Sequence, residues 1–163
     1  MSMVKMTRVC ALLACLSAVA TAQPNPHDPP SGFVGVHADG VPWQAHPSIR
    51  GVEIAILVGK SSEAGPLIVR VKLPPNAQVM PHTHPEARTY TVLSGDWKVG
   101  FGEKYDAAAL LTYSAGSMYR LPAKVAHFQA AGSSGAIVQI ESIGPTSTDF
   151  IDPAHDPRKR AAR

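Results

Sequence analysis

The chain has 163 residues, 45% hydrophobic, 17% charged and 6% aromatic, a composition that fits one folded domain with a single core and excludes collagenous, repeat and wholly disordered classes. Its formal charge of +3 belongs to the ends, because Lys5 and Arg8 precede an apolar run and Arg158, Lys159, Arg160 and Arg163 crowd the last six positions. Residues 23–157 hold nine basic and twelve acidic side chains, a body near −3 with no basic stripe for phosphates, so no nucleic-acid partner is expected for the folded part.

At the N-terminus, Met1 to Arg8 supplies a positive region, Val9 to Ala20 an apolar one, and Ala20-Thr21-Ala22 a small-residue cleavage pattern before Gln23. Residues 1–22 therefore read as a cleaved secretory signal peptide, and the expected location is periplasmic or secreted. The apolar run is shorter than the roughly 20 residues that span a bilayer, so no membrane span is expected. Cys10 and Cys15 both fall inside this segment, which leaves the mature chain without disulfides and dependent on packing, metal or oligomerisation. Gln23 to Ser31 is Pro-rich with almost nothing apolar to bury, and residues 23–49 read as an arm leading into a first strand.

From Gly51 the apolar residues alternate with period two. Val52, Ile54, Ile56 and Val58 share one face, and Leu67, Val69, Val71 and Leu73 alternate with Arg70 and Lys72, the pattern of half-buried strands. Further strands are expected at 89–94, 97–101, 110–113, 118–121, 126–129 and 136–142. Ser94-Gly95-Asp96, Ala115-Gly116-Ser117 and Gly132-Ser133-Ser134-Gly135 separate them as turns. Trp97, Val99, Phe101 and Ile140 read as core. Ala107 to Leu111 is the one helical candidate, too short to cover a sheet. Fifteen prolines and thirteen glycines disfavour long helices, so the expected class is all-β, a sandwich, jelly roll or barrel over residues 50–145, followed by a basic tail over 146–163.

Seven histidines are unevenly placed. His82 and His84 are two apart, so on an extended segment both imidazoles project to one face. Imidazole is largely neutral at near-neutral pH and ligates zinc, iron, copper and nickel. His127, in a later strand with Pro122 five residues before it, is the candidate third ligand. The alternative is a metal-free structural cluster. His27, His37, His46 and His155 lie near loops or prolines; His27, His46 and His155, without a spacing partner, read as surface residues.

These residues resemble the cupin superfamily, small jelly-roll barrels with the motifs G-x5-HxH-x3-4-E-x6-G and G-x5-P-x-G-x2-H-x3-N. His82, His84, Gly95, Gly116, Pro122 and His127 stand at the defining positions. PHTHPEARTYTVLSGDW and IGPTSTDFIDPAHDPRK look like the short exported cupins related to the ChrR anti-sigma-factor cupin domain. The resemblance implies a single-domain double-stranded β-helix, a divalent transition metal such as Fe(II), Zn, Mn or Ni, and a homodimer. Asn76 and Lys124 replace turn glycines, Ala131 the last asparagine, and Arg88 the metal-binding glutamate. Asn tolerates the left-handed conformation that such a turn needs.

Arginine only donates and cannot ligate a metal. Two sites compete: the favoured set of His82, His84 and His127 with open positions, or one completed by Glu86, whose extended geometry Pro85 disturbs. Arg88 near the metal would favour an anionic ligand, and Tyr90, two residues on, would donate to it. The structural alternatives are an Arg88 salt bridge with Glu86 or Glu141 and a Tyr90 that only lines the barrel. Functionally, the residues fit a metal-dependent oxygenase or lyase acting on a small anionic organic molecule, with Arg88 and Tyr90 as catalytic residues. The alternatives are a non-catalytic, sensor-like module binding metal or a small ligand, and a metal-free isomerase, which three convergent histidines make least economical.

Overall fold

The computed structural model describes residues 27–160; the expected signal peptide 1–22 with Cys10 and Cys15, and the last three residues, lie outside the described residues. Residues 27–33 include a turn in which the Phe33 N–H donates to the Pro30 carbonyl at 3.0 Å. The body from Val34 onward carries one antiparallel sheet of nine strands among the described residues. They are β1 (Gln44–Ala45), β2 (Glu53–Val58), β3 (Gly65–Leu73), β4 (Gln78–Thr83), β5 (Arg88–Phe101), β6 (Leu111–Ser114), β7 (Met118–Leu121), β8 (His127–Gly144) and β9 (Asp149–Phe150). The expected helical piece is a 3-10 turn at Ala107–Ala109, capped by the Asp106 side chain, which accepts from the Ala108 N–H at 2.9 Å. No helix among the described residues is long and apolar enough to cross a membrane.

β8 is the spine. Along one edge it pairs with β5, from Arg88↔Ser142 to Phe101↔His127. Along the other it takes β3 over Ala136–Gly144 and β4 over His127–Ala130. β5 carries β6 and β7 on its far side, β2 and β1 continue from β3, and β9 pairs outside β4. This curled antiparallel sheet agrees with the β-fold that the motif resemblance implied.

Of the three glycine clusters read as turns, Ala115-Gly116-Ser117 separates β6 from β7 as expected, but the other two do not end strands. Ser94-Gly95-Asp96 lies within β5 and Gly132-Ser133-Ser134-Gly135 within β8. The two long strands bend together, and their register shifts between Val92 and Ser94 and again between Gly95 and Trp97, so bulges turn the sheet while the ladder continues. Gly95 and Gly135 take φ of +70° and +78° there. A Cβ on Gly95 would lie 2.0 Å from the Gly135 carbonyl oxygen, so the close approach of the two bends requires glycine. Asn76 and Lys124, which replace the motif glycines, hold the left-handed conformation at φ of +57° and +62°.

The core follows the alternation of β3: Leu67, Val69, Val71 and Leu73 are buried against Tyr90, Val92, Trp97, Val138 and Ile140. β2 departs from its pattern. A bulge between Ile56 and Val58 breaks its register; Ala55 is buried and Ile56 is 44% exposed. Trp97, Val99 and Ile140 are buried as expected, whereas Phe101, the last residue of β5, is 51% exposed. Residues 146–160 are seated rather than trailing: β9 pairs with β4, and the Ile151 N–H donates to the Pro81 carbonyl at 3.0 Å.

Gly95→Ala is expected to cost about 2–4 kcal/mol, from a strained φ plus the clash with backbone, read as a lower urea midpoint in equilibrium unfolding.

Candidate metal centre

His82 in β4 and His127 at the start of β8 are direct partners across the β4–β8 ladder, so both rings leave the sheet on one face. His84 follows the end of β4, and its carbonyl accepts from the Lys124 N–H at 2.7 Å, which ties it to the turn before His127. Ring centroids are 4.2 Å apart for His82 and His127, 4.8 Å for His82 and His84, and 5.1 Å for His84 and His127. Their ligand atoms lie within 4.8 Å of one another, and all three residues are buried. The expected convergence of the HxH pair with His127 is therefore present in the fold.

Each Nδ1 meets a main-chain carbonyl: Met80 for His82 and Ser147 for His84, both at 2.7 Å, and Val125 for His127 at 2.9 Å. A carbonyl only accepts, so each Nδ1 carries the proton and each Nε2 of the neutral ring keeps a free lone pair. Burial lowers the His82 pKa to about 3, helped by the charge of His127 and then of Arg88. Burial, with Arg88 second, lowers His127 to about 4, and the same two causes lower His84. The Nε2 of His127 is buried and has no hydrogen-bond partner among the described residues. Leaving such an acceptor unmet costs about 1–3 kcal/mol, a cost that a cation shared by three lone pairs removes. The donor set fits a divalent metal with open positions.

Glu86 does not join the histidine group. β4 ends at Thr83 and β5 begins at Arg88, so Glu86 lies in the connection and loses the extended spacing that would align it with His84. Its Oε1 instead accepts from Arg88 Nε at 2.6 Å and from the Thr146 hydroxyl. Both side chains are about nine-tenths buried, at 12% and 10% exposure for Arg88 and Glu86. Arg88 Nη2 also donates to the Thr146 hydroxyl and to the Ser147 carbonyl, the latter at 3.3 Å. The salt bridge that the sequence offered as the structural role of Arg88 is thus made with Glu86, while Glu141 accepts from Gln139 at 3.1 Å.

Tyr90 is fully buried and stacks on Tyr119, with centroids 4.6 Å apart and planes 9° from parallel. Its hydroxyl has no hydrogen-bond partner of good geometry among the described residues. Burial raises its pKa, so it stays a phenol able to donate. Tyr90 lines a small chamber of about 30 Å³ together with His82, His84, Trp97 and Gln129. Beside it lies a larger cavity of about 440 Å³. His46, Val71, Arg88, Ile140 and Thr148 border both.

Sequence reasoning missed His46 and the run Thr146-Ser147-Thr148. His46, expected at the surface, is partly buried on the shared wall. Its pKa is lowered to about 4 by burial and then by the charges of Arg88 and Arg158. It reaches the wall because its N–H donates to the Val52 carbonyl at 2.8 Å beside β1, a tertiary placement with no spacing signal. Ser147 acts through its carbonyl, which side-chain chemistry does not advertise. Arg158 holds Thr148, donating from Nη2 to its carbonyl at 2.6 Å while its Nε donates to the buried Asp156 at 2.8 Å.

The family model of the ChrR cupin-like domain matches residues 31–138. Among solved structures, the chain is similar to the polyketide cyclase RemF from Streptomyces resistomycificus, at 14% identity and a TM-score of 0.63, covering 80% of this chain and 94% of that one. It is also similar to KdgF from Halomonas sp., at 19% identity and a TM-score of 0.51, covering 66% and 92%. A third likeness is to the Rhodobacter sphaeroides complex of SigE with the anti-sigma ChrR, at 18% identity and a TM-score of 0.50, covering 65% of this chain and 51% of that one. These likenesses bear on the fold alone. No curated protein matches the chain at a significant level.

In the metal-free protein, His82, His127 and His46 stay neutral where the unfolded chain's histidines protonate, near 6.5. The unfolded state then binds more protons as pH falls, so stability is full above about 6.5 and each ring removes up to about 1.4 kcal/mol per pH unit toward pH 4. Urea midpoints measured in chelator from pH 7.5 to 4 should fall accordingly. Arg88→Met leaves Glu86 charged, buried and without its cation, for an expected loss of about 3 kcal/mol. Adding Glu86→Met should recover most of it in a double-mutant cycle.

Proposed function

This chain belongs to the ChrR cupin-like family, and on that premise we propose that it holds one divalent transition metal on His82, His84 and His127 and acts on a small anionic organic molecule. The observation that carries this reading is the set of three neutral imidazoles, each with Nδ1 committed to a carbonyl and Nε2 free. When bound, the metal supplies Lewis acidity to an oxygen-bearing ligand. Three imidazoles add no negative charge, and the Arg88–Glu86 pair is neutral as a whole, so a divalent ion keeps its charge and an anion is the favoured ligand. Arg88 bonds Glu86, Thr146 and Ser147 through Nε and Nη2, which fixes its guanidinium on the wall beside the metal ligands. Tyr90 holds its proton on the phenol oxygen inside the chamber and orients the ligand by donating it as a hydrogen bond. The buried aromatic wall of Tyr90 and Trp97 excludes bulk water.

On this reading the protein is an oxygenase-type or lyase-type enzyme, exported through residues 1–22 and working as a homodimer. Fe(II) suits the oxygenase chemistry, and Zn, Mn or Ni the lyase chemistry. One observation favours a second reading, a non-catalytic binding module: the Arg88 charge is already matched by Glu86 before any ligand arrives.

Elemental mass spectrometry on untagged protein is expected to find about one metal per chain, lost in His127→Ala. Absence of metal after metal-replete growth overturns the reading. With metal present, oxygen uptake or product formation across a panel of β-dicarbonyl compounds and related acids supports the enzyme. Tight ligand retention without product supports the binding module.

A further inference from the structure

His46 is a histidine of the opposite kind to the three metal ligands. The Ser48 N–H donates to its Nδ1 at 3.1 Å, so Nδ1 is the acceptor and the proton of the neutral ring sits on Nε2. Where His82, His84 and His127 offer lone pairs, His46 offers an N–H. That tautomer is held by structure: the His46 N–H is bonded to the Val52 carbonyl at 2.8 Å, and Ser48 is itself buried at 6% exposure. Nε2 makes no hydrogen bond among the described residues, and the ring borders both the histidine chamber and the 440 Å³ cavity.

The larger cavity has two kinds of wall. Its polar side is the border with the chamber, where His46, Arg88 and Thr148 stand. Away from that border, Ile54 and Ile56 of β2 and Leu67 and Val69 of β3 give it an aliphatic face, with Ser61, Ser142 and Arg158 also on its lining. A volume of this order is that of a small-molecule site, and none of His82, His84 and His127 lines it. An apolar wall leading to a cluster of donors fits a molecule with a hydrocarbon body and an anionic head.

Resting on the metal-centre reading above, we propose that the 440 Å³ cavity takes an organic acid with an apolar body, and that the Nε2–H of His46 donates to its carboxylate beside Arg88. His46 is then a specificity-determining residue, selecting the anionic head and setting its position relative to the three-histidine centre. The aliphatic side chains of β2 and β3 take the body, which explains why Ile54 and Ile56 stay partly open instead of being sealed into the core.

Two measurements test this. Long-range ¹H–¹⁵N spectra of the folded protein at neutral pH should show His46 in the Nε2–H tautomer and His82, His84 and His127 in the Nδ1–H tautomer. An Nδ1–H tautomer at His46 overturns the proposal without any variant. Calorimetric titrations of protein loaded with Co(II) use hexanoate, hexanol and acetate as probes. Hexanoate should bind, with hexanol and acetate at least about tenfold weaker, since each lacks half of the recognition. His46→Leu should weaken hexanoate about tenfold and leave hexanol unchanged, and His46→Gln, whose amide reaches the Nε2 position, should restore most of the affinity. No hexanoate binding, hexanol binding as tightly, or an undiminished affinity in His46→Leu overturns the proposal. Failure of the metal centre registers separately, as the absence of Co(II) absorption bands, and His46-dependent hexanoate binding in such a protein overturns the metal reading alone.

Discussion

Each of the three clustered histidines gives its Nδ1 proton to a main-chain carbonyl, and the origin of those carbonyls determines how the centre is assembled. Met80 and Val125 lie two residues before His82 and His127, so these two locks form with the local backbone. The third is distant: the Ser147 carbonyl that holds His84 lies 63 residues along the chain. The centre is complete only when the segment after β8 closes over β4, where β9 pairs with His82 and Thr83. A proton committed on one side of a ring leaves the lone pair on the other, so backbone geometry decides which nitrogen of each ring is able to take a cation.

The same closing segment settles the electrostatics. Thr146 and Ser147 contact Arg88, and Thr146 also contacts Glu86, so the loop that fixes His84 also seats the buried ion pair. Arg88 stands where a cupin places a ligating glutamate, and the nearest carboxylate is spent on neutralising it. Charge in a buried site has to be matched locally because desolvation is expensive. The outcome is a centre with three neutral imidazoles, a compensated arginine on its wall and a phenol held protonated by burial.

The bends of β5 and β8 place these parts together. Gly95 and Gly135 let two long strands turn at the same point, so one half of each pairs with the strands around the core and the other half runs to the ends that carry His127 and Phe101. Glycine clusters look identical in sequence whether they end a strand or bend it. The distinction depends on whether a partner ladder continues alongside, which is a property of the assembled sheet.

How much was legible follows from the same physics. The alternation of Leu67, Val69, Val71 and Leu73 has a fixed period, and so does the HxH pair, because a strand alone sets which face a side chain takes. The offsets of Gly116, Pro122 and His127 added the third ligand through resemblance to a family. His46, the Ser147 carbonyl and the Arg88–Glu86–Thr146 contacts could not be read, since they join residues dozens of positions apart through turns whose paths depend on packing. The sequence by itself determined an all-β chain and the three imidazoles available to a metal, because local backbone periodicity and side-chain chemistry are intrinsic to the chain. Only the tertiary structure decided which ring nitrogens carry protons, that Glu86 serves Arg88, and that a donor histidine stands between chamber and cavity, because hydrogen bonds and charge pairing are set by neighbours that folding alone brings together.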